Sequence, residues 1–142
     1  MLRTIIIDDE PHIRNTIGKI IKKHCPQVQI IAEADSVDSG VSAIAEHHPE
    51  LILLDVQLSD GSGFDLLQKL NNAISFKVIF ITAHEQYALK AIKENALDYI
   101  LKPINPSEFI TAIQKVADVV NKENTEFKIN AMISERAKQE KN

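Results

Sequence analysis

The chain has a single cysteine, Cys25, in 142 residues, too few for an internal disulfide framework or a multi-cysteine zinc site and suited to a reducing compartment. Long apolar runs are missing too. No stretch approaches the roughly 20 apolar residues of a membrane-spanning helix, and Met1-Leu2-Arg3 leads into a short strand pattern rather than a secretory leader. The chain therefore reads as cytoplasmic, with no membrane partner. Positive charge is not in excess, since 16 Lys and Arg stand against 20 Asp and Glu for a formal net charge of -4. That balance gives no overall attraction to nucleic acid, so direct DNA or RNA binding by this chain is not expected. Internal repeats and low-complexity tracts are also lacking.

What remains is ordinary globular chemistry: 44% hydrophobic and 25% charged residues, in a length that suits one domain with a sizeable core. Apolar runs of strand length alternate with segments of helical period, the pattern of βαβ units around a parallel sheet. Five units can be counted. Thr4-Ile5-Ile6-Ile7 leads to Asp8-Asp9-Glu10, and Pro11 opens a helix carrying Ile13, Ile17, Ile20 and Ile21. Val28 to Ala32 is a less continuous run, fit for an edge strand, and Ser36 can cap a helix with Val41 and Ile44 that His48-Pro49 stops. Leu51-Ile52-Leu53-Leu54 and Val78-Ile79-Phe80-Ile81 are apolar on both faces, as central parallel strands are. They end at Asp55 and Thr82. Between them lies a Ser-, Asp- and Gly-rich loop, Gln57 to Gly63, and a helix with Leu66, Leu67 and Leu70. A thinly anchored fourth helix, about Glu85 to Asn95 with Ala88, Ala91 and Ile92 as its apolar face, precedes the short strand Tyr99-Ile100-Leu101. Asn105-Pro106 then caps a last helix with Phe109, Ile113 and Val116, closing a domain over residues 1–122. Residues 123–142 are charge-rich, with Phe127, Ile129, Met132 and Ile133 as a partial stripe, and read as a helical tail, a linker or a dimer-forming helix.

In an open α/β sheet, ligands bind outside the carboxyl ends of the strands. Asp8, Asp9, Asp55, Thr82 and Lys102 all fall at or just after strand ends, which puts them on one rim. Three carboxylates there repel one another unless a cation is present, and oxygen ligands suit Mg2+, which commonly joins one or two carboxylates to a phosphate. The Thr82 hydroxyl and Lys102 ammonium would give phosphoryl oxygens a hydrogen bond and a positive charge, the main needs of phosphoryl transfer. Asp55, alone at the end of a central strand, is the better nucleophile for an aspartyl phosphate, and the Asp8-Asp9 pair the better metal holder. Singly, each has a plain structural reading: Asp8, Asp9 and Thr82 as helix caps, Lys102 as a solvated loop lysine.

Ile5-Ile6-Ile7-Asp8-Asp9-Glu10-Pro11, Leu53-Leu54-Asp55-Val56-Gln57-Leu58 with Gly61 and Gly63-Phe64, Ile81-Thr82-Ala83, and Tyr99-Ile100-Leu101-Lys102-Pro103 together resemble the receiver domain of two-component response regulators. The match covers about residues 3 to 121. The stretch from Thr82 to Tyr99 looks most like receivers of the LytTR class, whose DNA-binding output domain is not part of this chain. The resemblance implies a doubly wound, flavodoxin-like fold with five parallel strands in the order 2-1-3-4-5. It also implies that Asp55 accepts a phosphoryl group from a sensor histidine kinase or a phosphotransfer protein. Asp9, Asp55 and the Gln57 carbonyl would hold Mg2+ directly, with Asp8 acting through water. Thr82 and Tyr99 would be switch residues, Lys102 the family's lysine, and Lys102-Pro103 a cis bond. The surface of the fourth helix, fifth strand and fifth helix would change shape on phosphorylation. A homodimer through that face, including Tyr87, Lys90, Ala91, Asp98 and Lys115, is a further expectation.

Ser59 departs from the family by standing where many receivers have proline, and Gln57 and His84 occupy positions that influence water attack on the phosphoryl group. The chain is not expected to be an enzyme beyond self-catalysed phosphorylation and dephosphorylation. Two alternatives come from other classes. A haloacid dehalogenase-type phosphatase also uses a strand-end aspartate with Mg2+ but needs an acid two residues later, where this chain has Gln57. The other is an interaction module that works without phosphorylation. Gly61 and Gly63 precede no Gly-Lys-Ser/Thr and read as turn glycines, and His47-His48 as a helix end.

Overall fold

A computed structural model describes residues 1–140. Strands β1 (Leu2–Ile7), β2 (Val28–Ala34), β3 (Leu51–Leu54), β4 (Lys77–Thr82) and β5 (Asp98–Leu101) alternate with helices α1 (Pro11–His24), α2 (Val37–His47), α3 (Gly63–Leu70), α4 (Ala88–Lys93) and α5 (Pro106–Glu140). The five strands are parallel and lie side by side in the order β2-β1-β3-β4-β5, the doubly wound order expected. β1 starts two residues before the expected Thr4, and β2 runs two residues past Ala32.

Alternation along the strands divides the core. Ile6, Leu53, Ile79 and Ile100 pack with Ile17 and Ile21 of α1 and Phe109 and Ile113 of α5. Ile5, Ile7, Ile52, Leu54, Val78 and Phe80 face the opposite way, toward Ile44 of α2, Phe64, Leu66 and Leu67 of α3, and Ala91 of α4. Burial on both faces is why the central strands read as unbroken apolar runs.

Local signals set the helix ends. Pro11 is the first residue of α1. Ser36 caps α2 by accepting from the Ser39 amide, and His48 ends it in the left-handed region at φ 48. The loop after Asp55 is more ordered than its composition suggests: Gln57–Leu58 pairs antiparallel with Gly61–Ser62 in a small separate ribbon, and Ser62 then caps α3. Asp60 at the ribbon's turn accepts from the amides of Val37 (2.6 Å) and Asp38 (3.1 Å), so it caps α2 from outside that helix.

The fourth helix differs from its expected span of Glu85 to Asn95. A 3-10 turn covers Glu85–Tyr87, and the α-helical part is Ala88–Lys93 alone. Six residues without a side-chain cap present one buried position, Ala91, while Ile92 is 69% and Leu89 66% exposed. At 100° per residue, adjacent positions such as 91 and 92 cannot both face the sheet.

Burial along α5 stops with the half-buried Val120, and the positions from 121 to 138 are exposed. Phe127, Ile129, Met132 and Ile133 of the expected tail lie on this helix, exposed. Residues 141 and 142 of the tail lie outside the described residues. No helix among the described residues is long and apolar enough to cross a membrane.

Candidate functional site

Three strand ends converge because each ladder runs one step past its strand. The Asp8 amide donates to the Ala34 carbonyl (3.0 Å), Asp55 to Ile7 (3.0 Å) and Lys102 to Thr82 (2.8 Å). The side chains just past β1, β3 and β5 therefore meet on one rim. Lys102 Nζ lies 2.9 Å from Asp55 Oδ2 and 3.0 Å from Asp8 Oδ2, with Glu10 Oε2 at 3.8 Å. Asp8 and Asp55 are buried, Asp9 is exposed, and one oxygen of each of the three carboxylates lies within 4.8 Å of the others.

The charge balance is uneven, the carboxylates of Asp8, Asp9, Asp55 and Glu10 against one ammonium. Burial pushes the Asp8 carboxyl above its ordinary range, and the Asp55 charge adds to this, against the Glu10 amide and Lys102 that pull it down. Burial alone would lower Lys102, but its hydrogen bond to Asp55, its close contact with Asp8, and the charges of both outweigh it and hold the ammonium above the usual lysine range. Asp8 Oδ1 accepts from the Glu10 amide at 2.9 Å. Its Oδ2 touches Lys102 as an ion pair yet makes no well-directed hydrogen bond. A buried carboxylate oxygen with an open lone pair, beside two more carboxylates, fits a hard, oxygen-seeking divalent cation. Asp8, Asp9 and Asp55 form a group that could hold a metal ion.

The other expected residues are placed as follows. Gln57 has an exposed side chain, and its amide donates to Asp55 Oδ1 at 3.3 Å. Thr82 is fully buried at the end of β4, where Oγ1 accepts from the His84 amide at 3.4 Å. Tyr99 is half-buried against Phe80, with ring centroids 6.1 Å apart, and its hydroxyl donates to the His84 carbonyl. Burial first, then the Asp55 charge, pushes its phenol up. Lys102-Pro103 is cis.

Two members of the expected dimer face make contacts within the chain. Ala91 is buried in the core, and Lys115 Nζ donates to the Leu97 carbonyl at 2.7 Å. The apolar surface in that region is instead Leu89, Ile92 and Leu101.

Gly63 matters more than a turn reading suggests. A Cβ there would lie 2.5 Å from the Asp55 carbonyl oxygen, so the start of α3 packs directly on the backbone of Asp55. Nothing in a Ser-, Asp- and Gly-rich segment signals such an approach. Gly61, at φ 155, does fit the turn reading.

The family model of the response regulator receiver domain matches residues 4–114. The chain is 41% identical over 117 residues to the sensory transduction protein LytT of Enterococcus faecalis, covering 82% of this chain and 48% of that protein. It is 38% identical over 116 residues to the sensory transduction protein LytR of Staphylococcus epidermidis, covering 81% and 46%. Among solved structures, the response regulatory domain of MrkE from Klebsiella pneumoniae superposes with a TM-score of 0.78 at 26% identity, over 84% of this chain and 98% of that one. A DNA-binding response regulator of the LuxR family from Staphylococcus aureus gives 0.74 at 26% identity, over 82% and 98%. The chain spans about half the length of the curated relatives it matches.

Proposed function

The chain belongs to the response regulator receiver domain family, and on that premise we propose that Asp55 is its phosphoacceptor and that phosphorylation there operates it as a switch. The observation that carries the reading is the Asp55 carboxylate held at the end of β3 with Lys102 Nζ at 2.9 Å and the oxygens of Asp8 and Asp9 beside it. The haloacid dehalogenase alternative is not favoured, since Gln57 occupies the place of its required acid and the family match is to receivers.

In the proposed step, an Asp55 carboxylate oxygen attacks the phosphorus of a phosphohistidine on a sensor kinase or phosphotransfer protein. The phosphorus–nitrogen bond breaks, the imidazole leaves with its electron pair and takes up a proton, and an acyl phosphate remains on Asp55. Asp8, Asp9, Asp55 and the Gln57 carbonyl would hold Mg2+, whose charge would offset that of the phosphoryl oxygens. Lys102, which bridges Asp55 and Asp8, would turn its ammonium to a phosphoryl oxygen. Thr82 supplies a hydroxyl at the neighbouring strand end, and Tyr99 follows it as the second switch residue. The chain is a signalling domain rather than a turnover enzyme, and attachment and loss of its own phosphoryl group are its only chemistry.

Residues 1–122 are read as the receiver and 123–142 as a tail or linker toward a LytTR-type DNA-binding output. The switched surface, around α4, β5 and α5, would control that output or a homodimer. A free, buried Cys25 suits the cytoplasm.

The test is intact mass after incubation with Mg2+ and acetyl phosphate. The reading predicts one phosphoryl adduct on the wild type, lost when EDTA is present from the start and absent from Asp55→Asn. Failure of both acetyl phosphate and a phosphohistidine donor to give an adduct would leave the phosphorylation-independent interaction module as the better account.

A further inference from the structure

We infer that Arg14 is a positioning residue for the Asp8-Asp9 pair: its guanidinium fixes the peptide between the two carboxylates and so sets the affinity of the acidic site for Mg2+. The inference rests on the acidic site being the metal site proposed above.

Three parts of Asp8 are held by ordinary means: its amide by Ala34 of β2, Oδ1 by the Glu10 amide, and Oδ2 by contact with Lys102. The carbonyl is different. Arg14 Nη1 donates to it at 2.6 Å. That carbonyl belongs to the peptide plane joining Asp8 to Asp9, so its direction fixes how the Asp9 carboxylate leaves the backbone relative to Asp8. Asp9, exposed and with no side-chain hydrogen bond among the described residues, has little else to aim it.

Arg14 is itself held. It projects from the first turn of α1, only 20% exposed, and its Nε lies 3.4 Å from Glu33 Oε1 on β2. One face of the guanidinium fork thus engages Glu33 and another the Asp8 carbonyl, tying α1, β1 and β2 together beside the metal-binding oxygens. A planar fork can make both contacts at once, whereas a lysine ammonium on its flexible stem keeps one at the expense of the other. Groups that orient metal ligands in this way commonly change metal affinity by about 10- to 100-fold when removed.

The charge of Arg14 makes the inference discriminating. A cation beside a cation site opposes metal binding, so removing it should tighten Mg2+ binding if charge alone mattered. A positioning role predicts the opposite sign.

The test is Mg2+ titration by calorimetry on the unphosphorylated full chain, for wild type, Arg14→Ala and Arg14→Lys. The expected result is a Kd raised about 10-fold in Arg14→Ala, with Arg14→Lys in between. Wild-type or tighter binding in Arg14→Ala would overturn the inference, as would Arg14→Lys equal to wild type beside a weakened Arg14→Ala. Phosphorylation from acetyl phosphate supplies a second readout. The Mg2+ concentration for half-maximal rate should rise in both variants, while the rate at saturating Mg2+ stays within about twofold of wild type. A lowered saturating rate with unchanged Mg2+ dependence would also contradict the inference. Should Arg14→Ala not fold, Arg14→Gln, which keeps the stem but loses the charged fork, takes its place with the same expected rise in Kd of about 10-fold, and unchanged or tighter binding there counts against the role. If the wild type itself does not bind Mg2+, the metal-site reading fails, an outcome distinct from failure of the inference.

Discussion

Helices α2 and α4 lie on the same face of the sheet and are built in opposite ways. α2 spans eleven residues, carries a Ser36–Ser39 capping box, receives a second cap from Asp60, and buries Val37, Gly40 and Ile44. α4 spans six residues after a 3-10 turn, has no side-chain cap, and buries Ala91 alone. The contrast teaches where this fold is free to move. Segments with few buried apolar contacts and little capping open at low free-energy cost, and bistable elements are drawn from them. The 3-10 turn and α4 also reach toward the Asp55 end of the sheet, because Tyr87 and Lys90 rest on the ring of Phe64, which follows Gly63.

The contrast can be broken or sharpened by substitution. The largest effect is expected from Ile44→Ala, which empties a fully packed site under α2 and should cost about 3 kcal/mol in denaturant unfolding. The equivalent change in α4, Ile92→Ala, stands at the other end of the scale.

Gly63→Ala comes next. A methyl group 2.5 Å from the Asp55 carbonyl oxygen must push α3 off the end of β3, at about 2 kcal/mol. Because the displaced backbone carries Asp55, acetyl phosphate labelling should also slow by about tenfold or more. Loss of stability with normal labelling would show that α3 yields and the site does not.

Ser36→Ala removes the α2 cap and should cost about 1 kcal/mol by the same unfolding measurement. No comparable loss is available in α4, which has no side-chain cap to remove.

Asp8→Asn probes the rim that both helices border, with a sign set by pH. The Asp8 carboxyl is raised in the folded state, so the folded chain binds a proton more readily than the unfolded one. Without metal, wild-type stability therefore falls as pH rises from the ordinary carboxylate range through the raised value. Asp8→Asn lacks that fall. Its melting temperature should exceed wild type near neutral pH, converge with it in acid, and lose its advantage when Mg2+ is added. An advantage that persists in acid would contradict the assignment to Asp8.

Ile92→Ala is the smallest, within about 0.5 kcal/mol of wild type, since the side chain is 69% exposed. A loss approaching that of Ile44→Ala would abolish the contrast between the two helices.

Much of this was legible in the sequence. The five strands and the rim formed by Asp8, Asp55, Thr82 and Lys102 follow from apolar runs that end in polar residues, because strand ends and sequence signals coincide there, while the strand order came with the family resemblance. What was not legible depends on residues far apart in the chain. Asp60 caps a helix 23 positions earlier, Gly63 is required by a carbonyl eight residues before it, and Arg14 reaches back to a backbone oxygen six positions away. No local pattern encodes such pairings. The shortness of α4 escaped for another reason: Ala88, Ala91 and Ile92 carry helical spacing, yet the 3-10 turn at Glu85–Tyr87 and the want of a cap left Ile92 facing out.

The most direct test of the switch is amide hydrogen exchange, read by mass spectrometry, on wild type and Asp55→Asn in Mg2+ with and without acetyl phosphate. The account predicts that phosphorylation changes exchange over residues 85–102, leaves α2 unchanged, and does neither in the variant. An adduct on Asp55 with no change in 85–102, or with equal change in α2, would contradict it.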